Sequence, residues 1–371
     1  MGDQTNIVCK NVLERVPIEK PPFQISDIKK AIPPHCFTRS LVSSSYYLIR
    51  DLGMCYAFYY LASTYIPILP HPLAYIAWPV YWLCQGSMFA CLWLLAHDMG
   101  HHSFSEHEWL DDALGFIIHS ALLTPYFSFK YSHRRHHGHT NSIEDDEMWV
   151  PKRKSNTLYS EILNNPFGHL FVAITHLLIG FPAYLLINMY GKNYNGFASH
   201  FYPQSPIFNN NERNQVWLSD AGIIVILYAF YLVATAGAKW LFCIYGVPLM
   251  VFNVEFFFLT LLQHTHPSLP HYDSKGWEWM KGALSTVDRD YGVFNSIFHH
   301  ATNAHVVHHL ISSIPHYHTV EATKAIKPIL GDYYKYDDTP ILKAFWRETK
   351  ECIYVEPDEG AEKSGVYWFC K

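Results

Sequence analysis

Four long apolar runs organise the chain in two pairs. Residues 52–69 and 73–96 carry no charged side chain, and about 20 mostly apolar residues suffice to cross a bilayer as a helix. The His71-Pro72 step between them predicts a helical hairpin, because a chain in lipid closes its backbone hydrogen bonds within helices and turns outside. A second pair lies at 221–237 and 240–262, and Glu255 is the one charge inside the four runs. Two other apolar stretches, 113–129 and 167–190, are interrupted by His119, Pro125, His169, His176, Gly180, Pro182 and Asn188. They predict segments lying in the membrane interface, although hydropathy alone would accept the second as a span.

Basic residues orient this pattern. Of 27 Lys and Arg, 7 lie in residues 1–50, 6 in 97–165 and 11 in 263–371. If the two interrupted stretches do not cross, 26 of the 27 fall on one side, as the cytosolic side requires. The expected fold is an all-α integral membrane protein: four transmembrane helices in two hairpins, interfacial helices, a cytosolic His-rich cap and both termini in the cytosol. Residues 1–51 are expected to form a cytosolic N-terminal segment, 52–371 the membrane domain, and 320–371 its helix-patterned cytosolic tail. Six spans would instead carry one histidine cluster across the membrane from the other two.

Composition narrows the classes further. With 50% hydrophobic and 16% charged residues, the chain is neither disordered nor a secreted disulfide scaffold. A net charge of -5 without a dense Lys/Arg stripe excludes nucleic acid as a partner. The first twenty residues, with Asp3, Lys10 and Glu14, lack the apolar core of a signal peptide. Asn6 stands where an N-myristoylation signal starting at Gly2 would need Ser or Thr. The eight Cys form no C-x-x-C pair and are expected to be reduced thiols.

Candidate chemistry gathers in histidine. His97-Asp98-Met99-Gly100-His101-His102 follows the second run directly, and two boxes of the form H-x-x-H-H lie at His133, His136, His137 and at His305, His308, His309. Residues at i, i+3 and i+4 share a helical face, so each box is a ready ligand face. Nine imidazoles are too many for one tetrahedral zinc, and imidazole suits iron, copper, nickel or zinc. The number points to two ions, and paired irons would suit attack on an unactivated C–H bond using O2. A zinc protease would need Glu where Asp98 stands in H-x-x-x-H. A metal transporter would carry its ligands inside the spans, and a haem carrier would need histidines facing across them. The runs offer neither.

The three boxes resemble those of the plant endoplasmic-reticulum oleate Δ12 desaturase family. So do Trp109-Leu110-Asp111-Asp112, Gln263-His264-Thr265-His266-Pro267, Thr286-Val287-Asp288-Arg289-Asp290-Tyr291-Gly292 and Glu321-Ala322-Thr323-Lys324-Ala325-Ile326-Lys327-Pro328. The resemblance covers about Arg15 to Trp368. It implies a membrane di-iron enzyme of the endoplasmic reticulum acting on C18 acyl chains of phosphatidylcholine, with O2 as co-substrate and electrons from NADH through cytochrome b5 and its reductase. Homo- or heterodimers with related desaturases would fit the same resemblance. Carried over residue by residue, His97, His101, His102, His133, His136, His137, His305, His308 and His309 match the family's iron ligands. His264 is either a further ligand or a cap on the fourth span, while His139, His266, His299 and His300 are expected as supporting or surface groups.

The chain departs from the common pattern at informative places. Asp98 and Met99 replace the usual Glu and Cys of the first box, and Asn303 and Ala304 replace Asp-Thr before the third. After the second box, Gly138-His139-Thr140-Asn141 departs from the family's usual Ser-Asn-Thr-Gly run. Asp98 resembles the divergent branch of acetylenases, epoxygenases and conjugases. The favoured expectation is a Δ12 acetylenase converting linoleate, with oleate Δ12 desaturation as the first alternative and conjugase, epoxygenase or hydroxylase activity beyond it. Asp98, Met99, Asn303 and Ala304 are expected to tune the outcome, and an apolar tunnel beneath the cytosolic face to hold the acyl chain. The aromatic end, Tyr367 to Lys371, resembles the family's retrieval signal only loosely.

Overall fold

The computed structural model describes residues 13–154 and 163–370. Gly2, Asp3, Asn6, Cys9, Lys10 and Lys371 lie outside the described residues. The helices that frame the molecule are α1 (Ile25–Ala31), α2 (Leu41–Tyr65), α3 (His71–Gly100), α4 (Glu108–Ala121), α5 (Tyr126–His139), α6 (Pro166–Ile187), α7 (Arg213–Leu241), α8 (Val247–His264), α9 (His305–Leu310), α10 (His316–Leu330) and α11 (Ile341–Glu351). Among the described residues, three helical runs, His71–Gly100, Pro166–Ile187 and Arg213–His264, are long and apolar enough to cross a membrane.

The first hairpin turns where proline dictates. A 3-10 turn at Ile66–Ile68 follows α2, and Pro70 precedes α3, whose second residue is Pro72. With 30 residues, α3 rises about 45 Å, some 15 Å more than a hydrocarbon core of about 30 Å. In the second pair the backbone leaves helical geometry at Gly237. The chain turns back there and sets the ring of Phe230 4.4 Å from that of Tyr245.

α3 is the central element, packed between α2, α4 and α8. Trp93, Leu95, Ala96, Phe252, Phe256 and Leu262 are buried along the α3–α8 seam. The single carboxylate of the predicted runs is answered within it, since the Ser87 hydroxyl donates to Glu255 Oε1 at 2.7 Å. Outward-facing Val42, Ile49 and Tyr56 of α2 and Ile224, Val225, Tyr228 and Tyr231 of α7 remain exposed. So broad an apolar surface requires a lipid or protein covering.

The two interrupted stretches behave differently. Residues 113–129 divide between α4 and α5, broken before Pro125, whereas 167–190 gives the continuous 22-residue α6. Gly180 lets α6 approach α8, because a Cβ there would lie 2.4 Å from the Phe257 ring.

The fold is mostly helical as expected, but not strictly all-α. Two small sheets follow the helices: β1 (His271–Tyr272), β5 (Val366–Cys370) and β4 (Tyr354–Glu356) pair antiparallel in that order, and β2 (Val287–Arg289) pairs parallel with β3 (Lys335–Asp337). Strands of two to five residues are too short to impose an alternation legible against helical patterning. The tail is thus woven into the cap. Buried Arg289 donates to Asp337, to Glu348 Oε1 at 2.6 Å and to the Leu262 carbonyl at 2.6 Å. Among the described residues six cysteines are free thiols, but Cys370 is disulfide-bonded, against the expectation of eight reduced thiols. Spacing alone carries no information on which distant thiols a fold brings together.

Candidate metal centre

Four helix ends converge at the C-terminal end of α3. α3 brings His97 and its C-cap His101, α5 brings His133, His136 and His137, α8 ends on His264, and α9 carries His305, His308 and His309. The boxes split by helical geometry, since adjacent residues lie about 100° apart on the helix. One group gathers His97, His101, His133, His137 and His308, and a second gathers His136, His264 and His309, with the ligand atoms of each group within 4.8 Å of one another. His305 joins the second group through its Nε2, 3.0 Å from His264 Nε2. The two groups adjoin, with the His137 and His309 rings stacked at 4.2 Å.

Protonation is fixed from outside in the second group. His136 Nδ1 lies 2.5 Å from Asp146 Oδ1, and that carboxylate accepts the backbone N–H groups of Asn141 at 2.8 Å and Met148 at 2.9 Å. The Thr140 hydroxyl donates to the His136 carbonyl at 2.8 Å, which leaves it to accept from His309 Nδ1 at 3.1 Å. Both rings therefore present an unprotonated Nε2 inward, and these two buried nitrogens have no hydrogen-bond partner. A carboxylate or hydroxyl behind a histidine is the usual way to orient a metal ligand.

In the first group the same part is played by Asp98, which faces His97 Nδ1 at 3.2 Å and His316 Nδ1 at 3.5 Å. His97 Nε2 can then only accept, yet His133 Nε2 lies 2.7 Å away and His101 Nε2 3.2 Å away, while His137 Nε2 lies 3.0 Å from His133. No choice of tautomers satisfies this circle. A central cation does, because ligands at about 2.1 Å from a metal stand roughly 3 Å from one another. Burial, reinforced by neighbouring imidazoles, pushes His101, His133, His137, His305 and His309 well below the ordinary histidine range and His308 down to about 3. Neutral imidazole is the form that binds metal. The residues fit two ions.

Ten histidines were candidates from the sequence, and nine come together. His102 does not. The helix ends at Gly100, and His102 takes the left-handed conformation, φ 54°. Helical spacing no longer applies beyond that point, and its ring instead meets Lys130 Nζ at 3.2 Å and Asp111 at 3.9 Å. Met99 is buried in the core, Asn303 Oδ1 meets His300 Nδ1 at 3.1 Å, and buried Ala304 caps α9. His299 is bonded to buried Asp51 at 2.7 Å, and His266 faces Asp337 at 3.5 Å. Asp146 and His316 escaped sequence reasoning. The acidic run Asp145-Asp146-Glu147 just after the second box was the available signal for the first.

A pocket of about 10 Å³, room for roughly one water, opens beside His97, His101 and His133 against Tyr126, Phe129 and Lys130. A larger cleft of about 1050 Å³ lies under α6 between Trp149, Tyr190 and Thr349, and its lining contains none of the nine imidazoles.

Comparison with known proteins completes the picture. The family model described as fatty acid desaturase matches residues 73–340. A Delta(12) fatty acid desaturase of Calendula officinalis is 58% identical over 364 residues, covering 98% of this chain and 96% of that protein. An endoplasmic-reticulum omega-6 fatty acid desaturase of Brassica juncea is 56% identical over 362 residues, covering 97% and 94%. A fatty acid conjugase of Calendula officinalis is 57% identical over 365 residues, covering 97% of each chain. Boxes, helix ends and kinship agree that this chain belongs to the fatty acid desaturase family, in its Δ12 branch with divergent members, and is an oxidoreductase of acyl lipids.

Proposed function

We propose that the protein is a di-iron acyl-lipid oxidoreductase of the endoplasmic-reticulum membrane that works on C18 chains, and that it acts as a Δ12 acetylenase on linoleate. The observation that carries the reading is the pair of adjoining imidazole groups, in which the Nε2 atoms of His136 and His309 have no hydrogen-bond partner and those of His97, His101, His133 and His137 crowd against one another at 2.7 to 3.2 Å. His97, His101, His133, His137 and His308 would hold one iron, and His136, His264, His305 and His309 the other. Bound there, the pair would supply the oxidising power, drawn from O2, that breaks an unactivated C–H bond. The chain's own residues orient the ligands through Asp98, Asp146 and Thr140 and keep water out. Two hydrogens leave the 12,13 double bond, and with two electrons delivered through cytochrome b5 and two protons from solvent they reduce one O2 to two waters.

The acetylenic outcome rests on Asp98. Its carboxylate spans His97 and His316 and is one methylene shorter than Glu, so His97 and the group it anchors are drawn to a different position. Displacements of about an ångström redirect which bond is presented. Met99, Asn303 and Ala304 act with it as tuning residues. Kinship at 58% to a Delta(12) desaturase favours a second reading, oleate to linoleate.

In the topology we propose, residues 1–51 are cytosolic and 52–371 form the membrane domain, with spans at about 52–69, 73–96, 221–237 and 240–262. α6 lies along the cytosolic face. Both its ends touch the cap, His169 beside Trp346 of α11 with rings 6.5 Å apart, and the Tyr184 hydroxyl 3.3 Å from Ser132 Oγ of α5. Fatty-acid profiling by gas chromatography and mass spectrometry, in yeast expressing the protein and fed oleate or linoleate, tests the reading. A triple-bonded C18 product from linoleate is expected. Linoleate from oleate alone would establish the second reading, and a conjugated product would move the enzyme to another branch.

A further inference from the structure

A second, unrelated donor set lies away from the histidine boxes. His35 and Cys36 sit on the 3-10 turn Pro34–Phe37, and His318 and Glu321 stand three apart on the first turns of α10. One ligand atom from each lies within 4.8 Å of the others. His35 Nε2 is 3.0 Å from Glu321 Oε2 and 3.7 Å from Cys36 Sγ. The His35 and His318 rings meet edge-on, centroids 5.3 Å apart.

We propose that a zinc ion binds between this turn and α10, held by His35, Cys36, His318 and Glu321. One thiolate, two imidazoles and one carboxylate are all established zinc donors. With Zn–S about 2.3 Å and Zn–N about 2.1 Å, tetrahedral ligands stand roughly 3.5 Å apart, and the 3.0 Å from His35 to Glu321 and 3.7 Å from His35 to Cys36 bracket that spacing. Thiolate and carboxylate together neutralise the dication. A soft sulfur beside nitrogen donors selects zinc over magnesium or calcium.

Cys36 could instead be a small apolar residue, since it is buried with Ile28, Ile32, Ala322 and Ile326. That accounts for its burial but not for three donors from two elements converging on its sulfur. His35 and Glu321 are exposed, so the ion would sit at the rim of this small core with its thiolate inward. The site would fasten the N-terminal turn to α10. His316, at the start of that helix, is the residue that meets Asp98, so the clamp steadies an outer support of the histidine centre without sharing a ligand with it.

Metal analysis of the full-length protein in detergent tests this independently of any lipid product. The wild type should hold one zinc per chain more than Cys36→Ser and His318→Asn, with iron equal in all three. Cobalt added in place of zinc should give thiolate-to-cobalt charge-transfer absorption that Cys36→Ser abolishes. Should the serine variant fail to accumulate, exposed Glu321→Gln carries the same test, weakening zinc binding roughly tenfold or more. Equal zinc in wild type and variants, or cobalt spectra unchanged by Cys36→Ser, overturns the proposal, since zinc would then reside in the histidine groups or nowhere.

Discussion

The two imidazole groups are built from the same three boxes and differ in what closes them. In the group of His136, His264, His305 and His309, His136 is fully buried and its Nδ1 meets a carboxylate pinned by two backbone N–H groups. The group of His97, His101, His133, His137 and His308 borders a pocket, and its carboxylate, Asp98, is shared with His316 rather than locked by backbone. Held by backbone, the His136 group would be the firmer seat for an ion. A looser half can be re-aimed by a small change without collapse. Divergence in the first box therefore falls where the structure tolerates it.

Breaking the rigid half should have the largest effect. His136→Ala removes a ligand and leaves Asp146 buried without its partner. Product should fall at least about 100-fold, with loss of bound iron and protein still present in the membrane. Retained turnover would remove His136 from the ligand set. Asp146→Asn keeps the shape but not the charge that holds the His136 proton, and should cost roughly 10–100-fold in activity or iron affinity.

Changes in the looser half should alter the product more than the rate. Asp98→Glu restores the family's usual residue between His97 and His316. Turnover is expected to change only a few-fold, while the ratio of triple-bonded product to linoleate shifts toward linoleate in fed yeast. An unchanged ratio, with the same result for Met99→Cys, would leave the tuning role without support.

Much of this was legible beforehand. The hairpin ends follow from Pro70, Pro72 and the break at Gly237, where apolar runs meet residues unable to continue them. The boxes predicted ligand faces because α5 and α9 are regular helices over those residues. Less legible were features set by long-range contact. β2 and β1 pair with strands 48 and 96 residues away, as Val287 with Lys335 and His271 with Tyr367 show. Asp146 reaches His136 from a loop, without any helical period to announce it. His264 was recognised only as one of two equal options, because a lone histidine at a helix end has no spacing to argue from.

His102 gives the smallest and sharpest test, because sequence and structure part there. Six consecutive residues of the first box suggest a continuous helical face, yet the left-handed turn at His102 swings its ring to Lys130 and Asp111. The His102 side chain is 23% exposed although Asp111 is buried, and a hydrogen bond of that kind contributes about 1 kcal/mol. His102→Ala should therefore keep the full iron content, lower Tm slightly and leave turnover within about twofold of wild type. Loss of one iron from this variant would mean that the turn closes on metal binding and that the box acts as its sequence suggests. Full iron retention would confine the first box to His97 and His101, and give His264 the place that the sequence had offered to His102.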